Sequence, residues 1–240
     1  DKIFDIPDQD TIYKVPIVLR EQGMVDSLLK FFNLKPKDKS NTLMKEWERF
    51  VEYFLSNGRK HVKIGVIGKY VQHGNHAHND TYISVLESLK HAGFANDVGV
   101  DVEMVSSETL TEENYIEKLK YFSGIVVPQG WGARGMEGKL LAIKYARENN
   151  IPYLGLCYGM QMAVIEIARD LLGIKDANSE EVNPDTKNPV IHLMEEQKKN
   201  MKDGLFGGTI RLGNWRCKLV KGSRAEEIYK DYELRDLDLE

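Results

Sequence analysis

The feature that most constrains the fold is an alternation of short apolar segments with helical segments between His61 and Leu172. The four apolar segments end at glycine, proline or polar residues and predict β-strands. Several are apolar at nearly every position, which is typical of strands covered on both faces. Strands are predicted at Lys63–Gly68, Val98–Val105, Gly124–Pro128 and Ile151–Leu156, and helices from Asp80 and over Ser106–Phe122, Glu137–Asn150 and Met160–Leu172. The sequence therefore predicts an α/β fold with a parallel sheet.

The first 58 residues follow a different pattern. Apolar residues from Thr11 to Phe32 recur at helical spacing, and we expect Pro16 and Gly23 to interrupt this helical segment. A charged run at residues 35–41 predicts a linker. A further helix is predicted at Thr42–Leu55, with its inward face formed by Trp47, Phe50, Val51 and Phe54.

Composition excludes several classes of function. The net charge is −4, so the chain has no global attraction to nucleic acid or to anionic lipid. The two cysteines, Cys157 and Cys217, cannot form a disulfide framework or a cysteine zinc cluster, which favours a reducing cytoplasm. We expect neither export nor a membrane span, because the sequence has no signal-peptide pattern and no long apolar segment.

The sharpest motif is Gly155-Leu-Cys-Tyr-Gly159, where a predicted strand turns directly into a helix. It has the form of a nucleophile elbow with cysteine as the nucleophile. Glycines on both sides allow the cramped backbone that such a turn needs. The helix N-terminus favours a thiolate, and the N–H of Tyr158 can stabilise an oxyanion. The alternative is a buried, unreactive thiol at a strand end.

A glycine-rich loop, Pro128-Gln-Gly-Trp-Gly-Ala-Arg-Gly135, follows the preceding strand. Loops at the carboxyl ends of parallel strands meet in one crevice, so this loop is expected to lie opposite Cys157 and to supply a second oxyanion N–H. The alternatives are a phosphate cradle or a flexible turn. The spacing of a dinucleotide-binding or Walker motif is absent.

Together with two further segments, Ala177-Asn-Ser-Glu-Glu181 and Gly207-Gly-Thr-Ile-Arg-Leu-Gly213, these motifs resemble the class I glutamine amidotransferase domain of the CTP synthase family. Residues 6–23 also resemble the end of the synthetase (amidoligase) domain and the start of the linker in that family. The resemblance covers nearly the whole chain. It implies a flavodoxin-like, three-layer, doubly wound sheet preceded by a helical linker. It also implies domains at residues 1–58 (synthetase end and linker) and 59–240 (glutaminase, incomplete at its C-terminus).

The resemblance implies hydrolysis of L-glutamine, with the ammonia passed on for ATP-dependent amination of UTP to CTP. Cys157 would be the nucleophile that forms a glutamyl thioester. Gly130 and Tyr158 would line the oxyanion site. Gln161 and Glu181 would contact the substrate, a carboxylate suiting its α-ammonium. The elbow residues Gly159 and Met160 complete the expected substrate-binding set.

The resemblance also implies partners and cofactors. The expected partners are L-glutamine and a synthetase domain of the same enzyme, within a homotetramer of the full-length protein. No cofactor is expected in the glutaminase domain. ATP, Mg²⁺ and UTP would bind the synthetase domain, and GTP would act as activator. Arg134 is expected to be structural or to take part in GTP activation.

The sequence departs from the family pattern in three respects. The family's catalytic His and Glu lie beyond the position of Glu240, so the chain is either a portion of a longer enzyme or a divergent copy. The alternative function is therefore a catalytically silent domain that regulates or binds glutamine. Gln129 and Trp131 stand where the family has glycine and phenylalanine. A glutamine held at φ > 0 costs about 1 kcal/mol or more, and we expect a displaced loop if position 129 requires that conformation.

Three histidines in six residues, His73, His76 and His78, form the remaining motif. Three imidazoles can bind zinc or nickel. The surrounding segment is rich in glycine and asparagine and has no cysteine nearby, which favours a solvated loop.

Overall fold

The computed structural model describes residues 3–36, 42–56, 58–69, 72–73, 76–77, 79–202 and 217–230. The described helices are α1 (Val15–Glu21), α2 (Met24–Phe31), α3 (Thr42–Leu55), α4 (Ile83–Ala95), α5 (Tyr115–Leu119), α6 (Met136–Glu148), α7 (Tyr158–Asp170), α8 (Glu195–Lys202) and α9 (Arg224–Lys230). The described strands are β1 (His61–Gly68), β2 (Gln72–His73), β3 (His76–Ala77), β4 (Gly99–Ser106), β5 (Gly124–Val127), β6 (Tyr153–Gly155), β7 (Ala177–Ser179) and β8 (Asn188–Ile191). Residues up to Ile191 form one compact unit, and those from His192 belong to a second.

The main sheet has four described strands in the order β4-β1-β5-β6, and every neighbouring pair is parallel. Strand β1 lies between β4, which follows it in the chain, and β5. The winding direction of the sheet therefore changes between β1 and β5. In open α/β sheets, ligands bind outside the carboxyl ends of the strands at this switch point.

Helices cover both faces of this sheet. A Cβ added to Gly65 would lie 2.7 Å from the Phe122 ring after α5, and one added to Gly68 would lie 2.5 Å from the Tyr82 ring before α4. Positions an odd number of residues apart on a strand face opposite sides. The α4 and α5 sides are therefore opposite faces, which confirms the predicted three-layer α/β architecture.

The main core lies on the α5–α6–α7 side of the sheet. It consists largely of apolar side chains from β1, β5 and these three helices, including fully buried Ile67, Leu119, Val127, Met162 and Ile165. A cluster of this kind supplies most of the stabilisation of a domain through removal of apolar surface from water. The carboxyl ends of β1, β5 and β6 are thus fixed on a rigid support.

Helix α3 and the 3₁₀ turn Ile12–Lys14 pack on α4 through aromatic side chains. The Tyr13 ring stacks on Phe54 with centroids 5.0 Å apart and meets Phe50 edge to face at 4.9 Å. Its hydroxyl bonds the Glu87 carboxylate and lies 2.7 Å from His91 Nε2. Burial and the neighbouring carboxylate raise the pKa of Tyr13, so it stays protonated as a donor. The predicted inward face of α3 is therefore confirmed.

Two predicted details of the helices are wrong. Pro16 does not interrupt a helix but lies in the first turn of α1, where its missing N–H has no helical partner to lose. Asp80 lies inside a 3₁₀ turn, Asn79–Tyr82, and α4 begins after Tyr82. Gly23, with φ 77°, does separate α1 from α2 as predicted.

The predicted helix Ser106–Phe122 is also wrong. Only α5 and a 3₁₀ turn, Ser107–Thr109, form within it. The Asn114 side chain accepts a hydrogen bond from the N–H of Thr111 at 3.0 Å and donates one to the carbonyl of Thr109 at 3.1 Å. Such side-chain bonds offer the backbone an alternative to helical pairing.

Other predictions lie outside what the structure tests. Most of the predicted linker (residues 37–41), His78 and the 207–213 segment fall outside the described residues. The domain boundary at residues 58/59 stays a prediction. In the described part of the chain, no helix combines the length and apolar character needed to cross a membrane.

Candidate active site

The predicted elbow is present, and its backbone is strained at Cys157. This residue lies between β6 and α7 with φ 52° and ψ −104°, a conformation that non-glycine residues rarely adopt. A Cβ added to Gly159 would lie 1.9 Å from the Val127 carbonyl oxygen, and one added to Gly155 would lie 2.7 Å from the Gly159 carbonyl carbon. Glycine is therefore required at both positions, because neighbouring backbone atoms leave no room for a side chain. Strain of this kind clusters at functional sites.

The elbow presents the thiol to solvent at the start of a long helix. Cys157 is an exposed free cysteine and precedes the first residue of α7. The thiol is therefore not buried, as the alternative required. Tyr158 is the first residue of α7, so its N–H lies at the positive end of the helix dipole, next to the thiol.

The glycine-rich loop is held against the elbow through Gly132. The Gly132 N–H donates to Glu181 Oε1 at 2.6 Å, and its carbonyl accepts from the Tyr158 hydroxyl at 2.5 Å. Gly132 has φ 65°, which suits glycine at this double attachment. Earlier in the loop, a Cβ added to buried Gly130 would lie 3.7 Å from the Tyr158 ring. The predicted neighbourhood of loop and elbow is thus confirmed.

Glu181 reaches the loop from the segment after β7. Its own N–H donates to Ser179 Oγ at 3.1 Å, and Ser179 is buried. This turn aims the half-buried carboxylate at the loop, 49 residues away in sequence. The structure therefore brings Glu181, Gly130 and Tyr158 together at the carboxyl ends of the strands.

Two further predicted residues lie on the first turn of α7. The Gln161 side-chain oxygen is buried and has no hydrogen-bond partner among the described residues. A buried amide oxygen without a donor is costly, so this oxygen is suited to a ligand N–H. Met160 is 51% exposed, and its thioether side chain is available for apolar contact.

Sequence reasoning missed two buried cations behind the loop. Lys69 follows β1 and is 5% exposed, and Lys139 on α6 is completely buried. Burial, and secondarily the charge of Lys69, lowers the pKa of Lys139 to about 8. The burial of Lys139 had one signal in the sequence. Lys139 lies three residues after Met136 and four before Ile143, so it shares a helix face with two buried apolar residues.

Comparison with known proteins identifies the family. The family model of the class-I glutamine amidotransferases matches residues 77–234. The chain belongs to the class-I glutamine amidotransferases. The match includes the elbow, the glycine-rich loop and Glu181, so the geometry described above lies in the part of the chain that defines the family.

The amidotransferase is also similar to curated CTP synthases. It is 44% identical to CTP synthase of Bacillus subtilis (strain 168) over 95% of this chain and 41% of that protein. It is 46% identical to CTP synthase of Caldanaerobacter subterraneus subsp. tengcongensis over 93% of this chain and 40% of that protein. The chain therefore spans about two fifths of the length of these relatives.

A solved structure agrees with this similarity. It is the glutaminase domain of Trypanosoma brucei CTPS with bound acivicin, and it is 44% identical to this chain. The TM-score is 0.50, with 56% of this amidotransferase and 50% of that chain covered. Together with the family match, this supports the class-I amidotransferase fold predicted from the motifs.

The remaining predicted residues of the amidotransferase have ordinary surroundings. Gln129 is exposed and does not adopt φ > 0, so the condition for a displaced loop is not met. Trp131 is half exposed. Arg134 forms an ion pair with Glu108, Nη1 to Oε1 3.0 Å. His73 and His76 pair in the β2–β3 hairpin, and the described residues contain no cluster of three metal-ligating side chains.

Proposed function

We propose that this chain is the glutaminase part of a CTP synthase. In this proposal it hydrolyses L-glutamine through a thioester on Cys157, and the ammonia serves ATP-dependent amination of UTP to CTP. The observation that carries the proposal is the strained elbow at Cys157, against which Gly132 holds the glycine-rich loop by hydrogen bonds to Glu181 and Tyr158. Similarity to CTP synthases over 95% of the chain supports the choice of enzyme.

The chemistry begins with attack of the Cys157 thiolate on the carboxamide carbon of glutamine. The carbonyl oxygen becomes an oxyanion, which we assign to the N–H groups of Tyr158 and Gly130. The C–N bond then breaks, the nitrogen takes a proton and leaves as ammonia, and a thioester remains. Water hydrolyses the thioester to glutamate and restores the thiol. The resemblance assigns the role of proton donor to the family's catalytic histidine.

The α-amino end of glutamine has two acceptors in this proposal. Glu181 uses Oε1 for the Gly132 N–H, and its Oε2 is assigned to the α-ammonium. The buried side-chain oxygen of Gln161, which has no partner in the described part of the chain, accepts a second substrate N–H. Met160 covers the aliphatic carbons of the substrate.

The proposal also assigns the cofactors, the nucleotides and the assembly of the whole enzyme. The glutaminase part needs no cofactor for thiol chemistry. ATP, Mg²⁺ and UTP bind a synthetase part of the same protein, GTP activates, and the full-length enzyme is a cytoplasmic homotetramer. Arg134 is the residue of this chain that we assign to the GTP response. Its half-exposed ion pair with Glu108 leaves its guanidinium accessible at the loop.

The test is intact-protein mass spectrometry after incubation with 6-diazo-5-oxo-L-norleucine, a glutamine analogue that alkylates a thiolate with loss of N₂. We expect one adduct in the wild type and in Cys217→Ser, and none in Cys157→Ala. Absence of an adduct from the folded wild type would contradict the proposal. If that protein still bound L-glutamine by calorimetry, the silent glutamine-binding domain would replace the enzyme.

A further inference from the structure

Lys139 lies directly behind the surface that faces the substrate. Its side chain is completely buried, and its Nζ lies 4.7 Å from the centroid of the Tyr158 ring. A Cβ added to Gly130 would stand 3.2 Å from the same Nζ. The ammonium therefore lies close to both residues that the proposed mechanism assigns to the oxyanion.

The charge of Lys139 is not neutralised by the described residues. Its Nζ has no hydrogen-bond partner among them, and none of their carboxylates forms an ion pair with it. The nearby cation is Lys69, whose Cε would lie 3.6 Å from a Cβ on Gly130. An unpaired ammonium in the interior is expensive, and such groups are retained where their field is used.

Lys139 is charged near neutral pH, and its buried position leaves that charge poorly screened. Burial comes first and Lys69 second in lowering the pKa of Lys139 to about 8, so near neutral pH most molecules still carry the charge. Low-dielectric surroundings screen a buried charge poorly. Cys157 is the residue directly before Tyr158, at the start of α7.

We propose that Lys139 is a positioning residue that acts through its charge, making the elbow electropositive and so raising the reactivity of the Cys157 sulfur. The ammonium does not touch the substrate; it acts through the Gly130 backbone and the Tyr158 ring. This inference rests on the proposed function for its role in glutamine hydrolysis. Its effect on the thiol is measurable without glutamine.

The experiment uses the Cys217→Ser protein, in which Cys157 is the single cysteine. The alkylation rate with iodoacetamide, a small neutral reagent, is measured by mass spectrometry from pH 5.5 to 9. Lys139→Met removes the charge at similar length, and Lys139→Arg retains it. Lys139→Gln serves as a second neutral variant, and thermal unfolding shows that each protein is folded.

The expected result is a roughly threefold to tenfold slower alkylation at pH 7 in the neutral variants, with the half-maximal pH moved upward. The arginine variant should stay within about twofold of the parent. Superimposable pH profiles for parent and neutral variants would overturn the inference. Equal slowing by Arg and Met would also overturn it, because shape and not charge would then matter.

The same proteins separate this inference from the proposed function. If 6-diazo-5-oxo-L-norleucine fails to label the parent while iodoacetamide reactivity still depends on the charge at position 139, the glutaminase proposal fails and the role of Lys139 stands. If the analogue labels the parent and the charge has no effect on either reagent, the glutaminase proposal stands and the role of Lys139 fails.

Discussion

Of the three cations on helix α6, Arg147 and Lys139 lie in opposite environments. Arg147 forms an ion pair with buried Glu166, with Nη2 and Nε 2.7 and 3.0 Å from Oε1, and this pairing raises the pKa of the guanidinium. Lys139, two turns earlier, is more deeply buried and has no such partner in the described residues. The paired cation joins α6 to α7, whereas the unpaired one lies beside Gly130. The difference indicates that one charge stabilises the fold and the other serves the site.

The largest effect is expected from Arg147→Met. Glu166 is 3% exposed and would be left as an uncompensated buried carboxylate. Breaking a buried ion pair from one side typically costs several kcal/mol, and we expect the free energy of unfolding in urea to fall by about 3 kcal/mol. Lys144→Met is the matched control, since its pair with Asp170 is about one third exposed and should cost under about 1 kcal/mol. Equal losses of unfolding free energy in the two variants would contradict the claim that the buried Arg147–Glu166 pair stabilises the fold more than the exposed Lys144–Asp170 pair.

The second prediction concerns pH and Lys139. Its folded-state pKa of about 8 lies below the ordinary value of 10.5, so the unfolded chain binds more protons between these values. Stability should therefore rise with pH through this window. Between about pH 7 and pH 10 the parent should gain roughly 2 to 3 kcal/mol relative to Lys139→Met. If the curves of unfolding free energy against pH were parallel for the two proteins, burial would not lower the pKa of Lys139.

The third prediction is that Lys139→Met is more stable than the parent at pH 7, by about 1 to 2 kcal/mol, because an apolar side chain replaces an unpaired buried charge. This sign is opposite to that of Arg147→Met on the same helix. Denaturant midpoints measured side by side test it. If Lys139→Met were less stable than the parent, the ammonium would stabilise the fold, and Lys139 and Arg147 would no longer differ in this respect.

The smallest effect is expected from Tyr158→Phe. The ring remains over Lys139, but Gly132 loses the hydrogen bond to its carbonyl. A single lost bond of this kind costs about 1 kcal/mol. Urea unfolding should show this loss, while the iodoacetamide profile of Cys157 should keep its dependence on the charge at position 139. Loss of that dependence would indicate that the tyrosine hydroxyl and not the lysine charge governs the thiol.

The sequence predicts features that depend on local patterns. Apolar segments and glycine spacing were sufficient for the four main strands and for the elbow at Cys157, because both are set by residues close in the chain. The helix predicted over Ser106–Phe122 failed where one side chain, Asn114, satisfied the backbone in a turn. Local propensity does not reveal such competition.

Features that depend on tertiary packing were not predictable in this way. The contact of Glu181 with Gly132 joins residues 49 positions apart and depends on how β7 lies beside the main sheet. The burial of Lys139 depends on the depth at which α6 packs, and a lysine on a helix normally lies in solvent. Neither is visible in a hydrophobic pattern.

The most direct test of the account is whether L-glutamine occupies the space in front of Cys157. The measurement is the rate of iodoacetamide alkylation of Cys157, in the Cys217→Ser protein, with and without saturating L-glutamine, with D-glutamine as control. L-glutamine is expected to slow alkylation at least about fivefold, and D-glutamine is not, because Glu181 and Gln161 bind only one configuration of the α-carbon. Equal alkylation rates under all three conditions would contradict it.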